Sequence, residues 1–530
     1  MQTIYELFRT TVETDGHRPF LCRPSSDGRP MEVHTYNDIA RETARLREAY
    51  IAAGFGMGSR VAIMIETRWE FVAHFFALNA IGAVVIPLNP DNRISDLIYL
   101  VGHSETDLFI TVADRISEIE EVRTKVGHDF CISDIATFPA GVASLRLPDA
   151  ETPVGSSICS ILYTSGTTGN PKGCLLSNET HMLAGARYRD MGGVLAMRRA
   201  EERFYNPTPF YHVNNLVVTL TCVTMLANCL ILVERFRPQR WWPEIRETRA
   251  TIMHYVGIIP SLLMGAPVDP EERNTSLRFG FGAGIEPQLH RAFEERFGIP
   301  LVEIWGMTET PRVFGDNFEP RQIDTRAFGR PLDDYLAKVI DDEGSEQPRG
   351  QPGELLVRSA GADPRKGFFS GYFKNEKETE ESWRGDWFHT GDIAWQSEDG
   401  MLYFVDRKKN IIRRAGENIS AAEVEAVLIT HPDVAKVAVI AVPDELRDEE
   451  VMACVVPREG VSGSPELAAE LVAWAIEKTA YFKSPAWIAF KDTLPVTPSL
   501  RLQRTRIFGE NVDPRAAPGT IDLRHLKKRN

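Results

Sequence analysis

The stretch Tyr163-Thr164-Ser165-Gly166-Thr167-Thr168-Gly169-Asn170-Pro171-Lys172-Gly173 decides how the chain is read. Glycines at 166, 169 and 173 let the backbone turn sharply and approach a ligand closely. The hydroxyls of Thr164, Ser165, Thr167 and Thr168, with successive backbone N–H groups, are donors suited to phosphate oxygens. A plain polar turn has the same composition, and it is the ordered string closed by Lys172 that points to a phosphate loop. The spacing is not that of a Walker A loop, because Pro171 precedes Lys172 and Gly173 follows it. Just upstream, the apolar run from Ser157 to Leu162 predicts a buried strand, so the loop leaves the end of a sheet strand.

Outward from the loop, strand-like and helix-like segments alternate. Val61–Ile65, Ala83–Leu88, Leu108–Val112, Cys229–Val233, Thr251–Val256 and Leu301–Trp305 read as strands. Trp69–Ile81 and Glu286–Phe297 read as helices, the latter with Leu289, Ala292, Phe293 and Phe297 on one face. This rhythm predicts an α/β fold, with a large N-terminal domain of parallel sheets and helices. Short strands at Tyr335–Ile340, Glu354–Val357 and Met401–Val405, set between Gly- and Pro-rich turns, predict a small β-rich subdomain. After the basic connector Asp406–Arg414 comes a compact α+β tail. Its expected elements are helix Ala421–Thr430, strands Val437–Val442 and Val451–Val456, helix Pro465–Lys478 and strand Ala486–Phe490. The expected division is residues 1–407 and 408–530, and the last dozen residues, rich in Arg and Lys, read as a frayed surface tail.

At 530 residues the chain is too long for one core. Its 43% hydrophobic and 25% charged residues are those of a soluble globular protein. A net charge of -14 argues against a nucleic-acid partner. Seven scattered cysteines without C-x-x-C spacing fit reduced thiols rather than a disulfide framework or zinc site. No secretory signal pattern opens the chain. Leu216–Val233 carries no charge, but its threonines and β-rich end favour a buried helix and strand over a membrane span. The expectation is a cytoplasmic protein without stable membrane association; a homodimer is compatible with it.

Four further strings carry chemistry: Trp305-Gly306-Met307-Thr308-Glu309, Gly282-Ala283-Gly284, His389-Thr390-Gly391-Asp392 and Val405-Asp406-Arg407-Lys408-Lys409. A flat aromatic suits a purine face, and a carboxylate combined with phosphate oxygens suits a hard divalent ion. Together with the loop, these strings resemble the signature motifs of the adenylate-forming superfamily of acyl-CoA synthetases and adenylation domains. The string Pro209–Asn215 and the stretch Arg413–Ser420 are most similar to carnitine/crotonobetaine-type CoA ligases.

The resemblance implies a role for each position. Thr164, Ser165, Gly166, Thr167, Thr168 and Gly169 would clamp the phosphates of ATP, with Lys172 in catalysis. Gly282, Ala283 and Gly284 would line the adenine and acyl pockets, and Trp305 would stack on adenine. Thr308 would bond the α-phosphate, and Glu309 would help hold Mg²⁺. Asp392 would accept both ribose hydroxyls, Arg407 would contact ribose and phosphate, and Lys409 would be the hinge of a mobile C-terminal domain. His212 would sit beside the pocket for the acid's carboxylate. Gly416 would line the tunnel for the pantetheine arm of CoA, the implied acceptor.

One position departs from the pattern. In Pro495-Val496-Thr497-Pro498-Ser499-Leu500-Arg501, arginine stands where the resemblance places a catalytic lysine, and its planar guanidinium is larger and differently directed. The implied activity is an AMP-forming ligase that adenylates a carboxylic acid and passes the acyl group to CoA. Arg501 leaves open an adenylating enzyme that makes no CoA thioester, handing the acid to an amine or carrier or activating nitrite for diazotisation. A catalytically silent nucleotide-binding regulator is the reading from another class. Gly306, where acetate-specific members carry a bulky tryptophan, implies a pocket wider than two carbons. Val213, Asn214, Gly257 and Ile258 are its expected lining, and the neighbouring asparagines hint at a polar or aromatic acid.

Overall fold

Two mostly parallel sheets form the frame of the first of two compact units, which comprises Met1–Leu336 and Arg358–Phe388. The computed structural model describes residues 2–26, 28–164, 171–414, 417–496, 502–509 and 512–527. One sheet runs in the order Cys131–Asp134, Leu108–Thr111, Arg60–Ile63, Val84–Pro87, Ile158–Thr164, Lys172–Ser177. Its first five strands are parallel, and the sixth turns back antiparallel. The second sheet is Thr310–Gly315, Leu301–Met307, Phe279–Ala283, Ile252–Val256, Arg203–Asn206, Cys229–Leu232, Pro19–Arg23, Glu32–Thr35. It is parallel through the middle, with an antiparallel strand at each edge.

Burial explains why these strands were readable. Val84–Pro87, Leu108–Thr111 and Cys229–Leu232 are buried at every position. Strands covered on both faces read as unbroken apolar runs rather than as alternation. Helix Trp69–Ala80 is likewise buried almost all round, from Phe71 to Asn79. The charge-free run from Leu216 belongs to a π-helix, Asn214–Thr219, then a helix, Leu220–Met225, and the strand Cys229–Leu232. Among the described residues, no helix is long and apolar enough to cross a membrane. All seven cysteines are free thiols.

The second unit comprises Ala337–Val357 and His389–Asn530. Strands Tyr335–Ile340, Gly353–Ser359, Trp387–Gln396 and Leu402–Arg407 are neighbours in that order. Another sheet in this unit is built from Glu417–Ser420, Ile411–Arg414, Asp448–Pro457, Trp487–Phe490 and Thr520–Asp522, with Val434–Asp444 also paired to Asp448–Pro457. Helices Ala421–Leu428 and Pro465–Lys478 cover it, burying Val424, Leu428, Leu471 and Val472 against Val439, Val451, Val455 and Ile488.

The tail departs from expectation. Thr520–Asp522 adds an antiparallel strand beside Trp487–Phe490, and Leu523 is buried. The Lys527 ammonium is also buried, 2.6 Å from Glu450 Oε1 and 3.1 Å from the Phe482 carbonyl. The basic composition that suggested fraying is in part an internal ion pair.

Candidate active site

The motif turns lie at the carboxyl ends of neighbouring parallel strands, where open α/β sheets place their ligand sites. Phe279–Ala283 runs into the Gly282–Gly284 turn, and the adjacent Leu301–Met307 runs into Trp305–Glu309, with Gly282 opposite Glu303. The next strands, Ile252–Val256 and Arg203–Asn206, lead to Gly257 and to His212. Gly257 and Gly284 pack backbone to backbone: a Cβ on Gly257 would lie 2.2 Å from the Gly284 carbonyl oxygen, and Gly284 itself has φ +88°.

A residue that no motif announced holds this turn. Glu303 accepts the Gly284 N–H at 2.8 Å, the Ile285 N–H at 3.2 Å and the Tyr255 hydroxyl at 2.6 Å. Burial raises its carboxyl pKa above the ordinary range, and these three donors work against that rise. Only its place one strand away, opposite Gly282, could have signalled it.

Trp305 is 6% exposed. Its ring stacks on that of its cross-strand partner Phe314 at 5.6 Å and lies 6.0 Å from Phe328, so most of the indole is covered by its own chain. Thr308, three residues further on, is half-buried. Glu309 is 6% exposed; its Oε1 accepts the Tyr372 hydroxyl at 2.9 Å, and its carbonyl accepts the Phe369 N–H. Burial, then the adjacent Glu309, raise the Tyr372 phenol pKa, so it stays a donor.

Lys172 is the antiparallel partner of Thr164, so the strands on either side of the Thr/Ser/Gly string are neighbours in one sheet. Ser165, Gly166, Thr167, Thr168 and Gly169 lie outside the described residues. The Lys172 ammonium bonds the Glu378 carboxylate and lies 5.2 Å from the Tyr372 ring centroid. Lys172 and Glu309 are therefore linked through one tyrosine.

At His212, Nδ1 accepts the Asn214 N–H at 3.2 Å, which leaves the proton of a neutral ring on Nε2. Asn214 is fixed in turn. Its Oδ1 receives Asn206 Nδ2 at 2.9 Å and His254 Nδ1 at 2.8 Å, while His254 Nε2 meets the Tyr188 hydroxyl at 2.9 Å. Burial holds His254 neutral, its pKa lowered to about 3. Asn215 is fully buried, with Nδ2 on the Thr208 carbonyl. The two asparagines thus serve the scaffold, which weakens the hint of a polar acid drawn from them.

The second unit carries the remaining motif residues. Asp392, 1% exposed, stands opposite Arg407, whose Nε is 2.7 Å from Asp392 Oδ1. Thr390 aims it: its Oγ1 accepts the Asp392 N–H at 3.0 Å and donates to the Leu355 carbonyl at 2.7 Å. Asp406 ties both sides of the connector. Its Oδ2 accepts Ser420 Oγ and the Ala422 N–H, both at 2.9 Å, and its Oδ1 accepts Asn410 Nδ2 at 3.0 Å. Lys408 is anchored to Glu354 at 3.0 Å, and Lys409 lies in the short turn Lys408–Asn410. Gly416 and Arg501 lie outside the described residues.

Among the described residues, no three His, Cys, Asp or Glu side chains gather as a metal site. Glu309 alone offers one carboxylate, already accepting the Tyr372 hydroxyl, and would hold a hard divalent ion only together with oxygen ligands from another source such as phosphate.

The family model of AMP-binding enzymes matches residues 8–373, and that of the AMP-binding enzyme C-terminal domain matches residues 423–500. The chain belongs to the AMP-binding enzyme family. Relatives of this AMP-binding enzyme include the crotonobetaine/carnitine–CoA ligases of Escherichia coli O8 (strain IAI1) and Proteus mirabilis (strain HI4320). Each is 29% identical, over 93% of this chain and 96% of its own. ATP-bound MatB from Rhodopseudomonas palustris shares the fold at TM-score 0.80 and 24% identity, over 96% of this chain and 98% of its own. The amide bond synthetase McbA from Marinactinospora thermotolerans does so at TM-score 0.78 and 24% identity, over 95% and 99%. The fold is shared by the amide bond synthetase McbA and, each at TM-score 0.81, by the anthranilate CoA ligase AuaEII and a benzoate CoA ligase from Burkholderia xenovorans LB400, so the fold does not select the acceptor.

Proposed function

We propose that this AMP-binding enzyme is an ATP-dependent acid–CoA ligase. In the first step a carboxylate oxygen attacks the α-phosphorus of ATP in line, pyrophosphate leaves and the acyl-adenylate stays bound. The observation that carries the reading is the gathering of the Gly282–Gly284 and Trp305–Glu309 turns at adjacent strand ends, with Glu309 joined to Lys172 through Tyr372. Thr308 and the loop donors hold the phosphates, Lys172 and Arg501 offset the developing charge, and Mg²⁺ on Glu309, when bound, neutralises phosphate oxygens. His212, with its proton on Nε2, donates to an acyl oxygen. Trp305 stacks on adenine, and Asp392 and Arg407 take the ribose.

In the second step residues 408–530 turn about Lys409, withdrawing Arg501 and bringing the Gly416 segment to the site. The CoA thiol, losing its proton, attacks the acyl carbon, and AMP leaves with the carboxylate-derived oxygen. Support for CoA comes from the relatives that span 93% of the chain and are named as CoA ligases.

A second reading rests on Arg501: the activated acid is passed to an amine or carrier, or nitrite is the acid. A pyrophosphate-release screen over carnitine, crotonobetaine, other aliphatic and aromatic acids and nitrite, with and without CoA, separates them. Release that needs an acid, and a thioester that needs CoA, uphold the ligase. A product formed equally well without CoA removes it, and no turnover with any acid removes both.

A further inference from the structure

Lys172 is held by a carboxylate 206 positions away in the chain, and the backbone fixes their meeting. The segment Ser370–Phe373 is zipped onto strand Lys172–Ser177 by three hydrogen bonds: Ser370 N–H to Leu175 O, Leu175 N–H to Gly371 O and Phe373 N–H to Gly173 O. Asn375 then caps helix Glu376–Ser382, its Oδ1 accepting the Glu378 N–H at 3.2 Å. Glu378 is thereby presented to Lys172 from the first turn of a helix anchored beside Lys172's own strand. The pair is largely withdrawn from water, with Lys172 12% and Glu378 27% exposed, so the attraction is screened less than on an open surface. Tyr372 lies under the ammonium and bonds Glu309, so Glu378, Lys172, Tyr372 and Glu309 form one connected row.

An ammonium shared with a carboxylate cannot give its whole charge to a phosphate. We propose that Glu378 is the resting counter-ion of Lys172 and the competitor of pyrophosphate for it. This rests on Lys172 being a phosphate ligand. When ATP enters, the ammonium passes from Glu378 to the β- and γ-phosphates. Once adenylation has separated pyrophosphate from the nucleotide, Glu378 recaptures the ammonium and loosens the hold on the leaving ion. Glu378 touches no substrate; it acts through Lys172.

The test is calorimetric binding of inorganic pyrophosphate with Mg²⁺, and separately of AMP, to wild type, Glu378→Gln, Lys172→Met and the double variant. A neutral amide at 378 frees the ammonium, so Glu378→Gln binds pyrophosphate about tenfold more tightly, with AMP affinity within about twofold of wild type. In the Lys172→Met background the same substitution has no effect. Unchanged pyrophosphate affinity in Glu378→Gln, with AMP binding intact, overturns the competitor role alone. Equal tightening in the Lys172→Met background also overturns it, by removing Lys172 from the path. A wild-type chain that binds neither AMP nor pyrophosphate overturns this proposal together with the adenylation reading.

Discussion

Asp392 and Arg407 are cross-strand partners, with Arg407 Nε 2.7 Å from Asp392 Oδ1 in a carboxylate only 1% exposed. A buried carboxylate needs a compensating charge, and here Arg407 supplies it as an ion pair from the neighbouring strand. If both groups meet a ribose, removing the carboxylate harms every step that uses the nucleotide. Asp392→Ala is expected to lower kcat/KM roughly 100-fold in adenylation and in thioester formation from supplied adenylate, and to weaken AMP binding. Near-normal AMP affinity would discredit the ribose role.

Glu303 holds the Gly284 and Ile285 N–H groups and the Tyr255 hydroxyl. Glu303→Ala leaves the N–H of the buried Ile285 without its acceptor, at about 1–3 kcal/mol, while the exposed Gly284 N–H can turn to water and the Tyr255 hydroxyl keeps the Val302 carbonyl at 3.2 Å. Denaturant unfolding should show a loss of about 1–3 kcal/mol, and the KM for ATP should rise. Unchanged stability would mean that the turn is held by something else.

Acid should weaken the first unit through Glu294. Burial pushes its carboxyl pKa up, but hydrogen bonds from His290, Arg321 and the Leu301 N–H outweigh burial and hold it at about 2. The folded pKa lies below the unfolded value of 4.5, so the stabilisation is fully present above about pH 4.5 and is lost as pH falls toward 2. Relative to wild type, Glu294→Gln should be destabilised by about 2 kcal/mol at pH 7, and the gap should narrow by pH 3. A gap that does not change with pH would exclude this linkage.

Asp406 bridges Ser420 and Ala422 on one side of the connector and Asn410 within it. Asp406→Ala removes these acceptors and loosens the start of helix Ala421–Leu428 at a cost of about 1 kcal/mol. Limited trypsin digestion should cut after Lys408, Lys409 or Arg413 several times faster than in wild type. An unaltered cutting rate would show that Asp406 does not restrain the connector.

Glu450 is shared by Arg414, with Nε 2.8 Å from both oxygens, and by Lys527. Glu450→Ala leaves two buried cations without their carboxylate and should cost about 3–5 kcal/mol. Lys527→Met keeps the Arg414 pair and should cost clearly less. Equal losses in thermal unfolding would show that the tail ammonium matters as much as the carboxylate.

These residues mark where sequence reading succeeds and where it stops. The parallel strands were legible because burial on both faces leaves unbroken apolar runs, as in Val84–Pro87. Trp387–Gln396, the strand that carries Asp392, was not. Its buried face is Phe388, Thr390, Asp392, Ala394 and Gln396, so burial alternates perfectly while hydrophobicity does not. The motif turns were legible from residue type, but the groups that aim them were not. Glu303 and Glu378 act across a strand pair and a long chain separation, and nothing local distinguishes them from other polar residues. Lys527 misled for the opposite reason, since its surface-like neighbourhood in sequence hid a buried partner.

The central claim is that an acid oxygen becomes bonded to the α-phosphorus of ATP. The direct measurement uses an acid that scores in the pyrophosphate screen, labelled with oxygen-18 in both carboxylate positions, with mass analysis of the AMP released once CoA is added. One labelled oxygen in AMP, alongside a CoA thioester that keeps the other, is the predicted result. Unlabelled AMP would contradict the adenylation account.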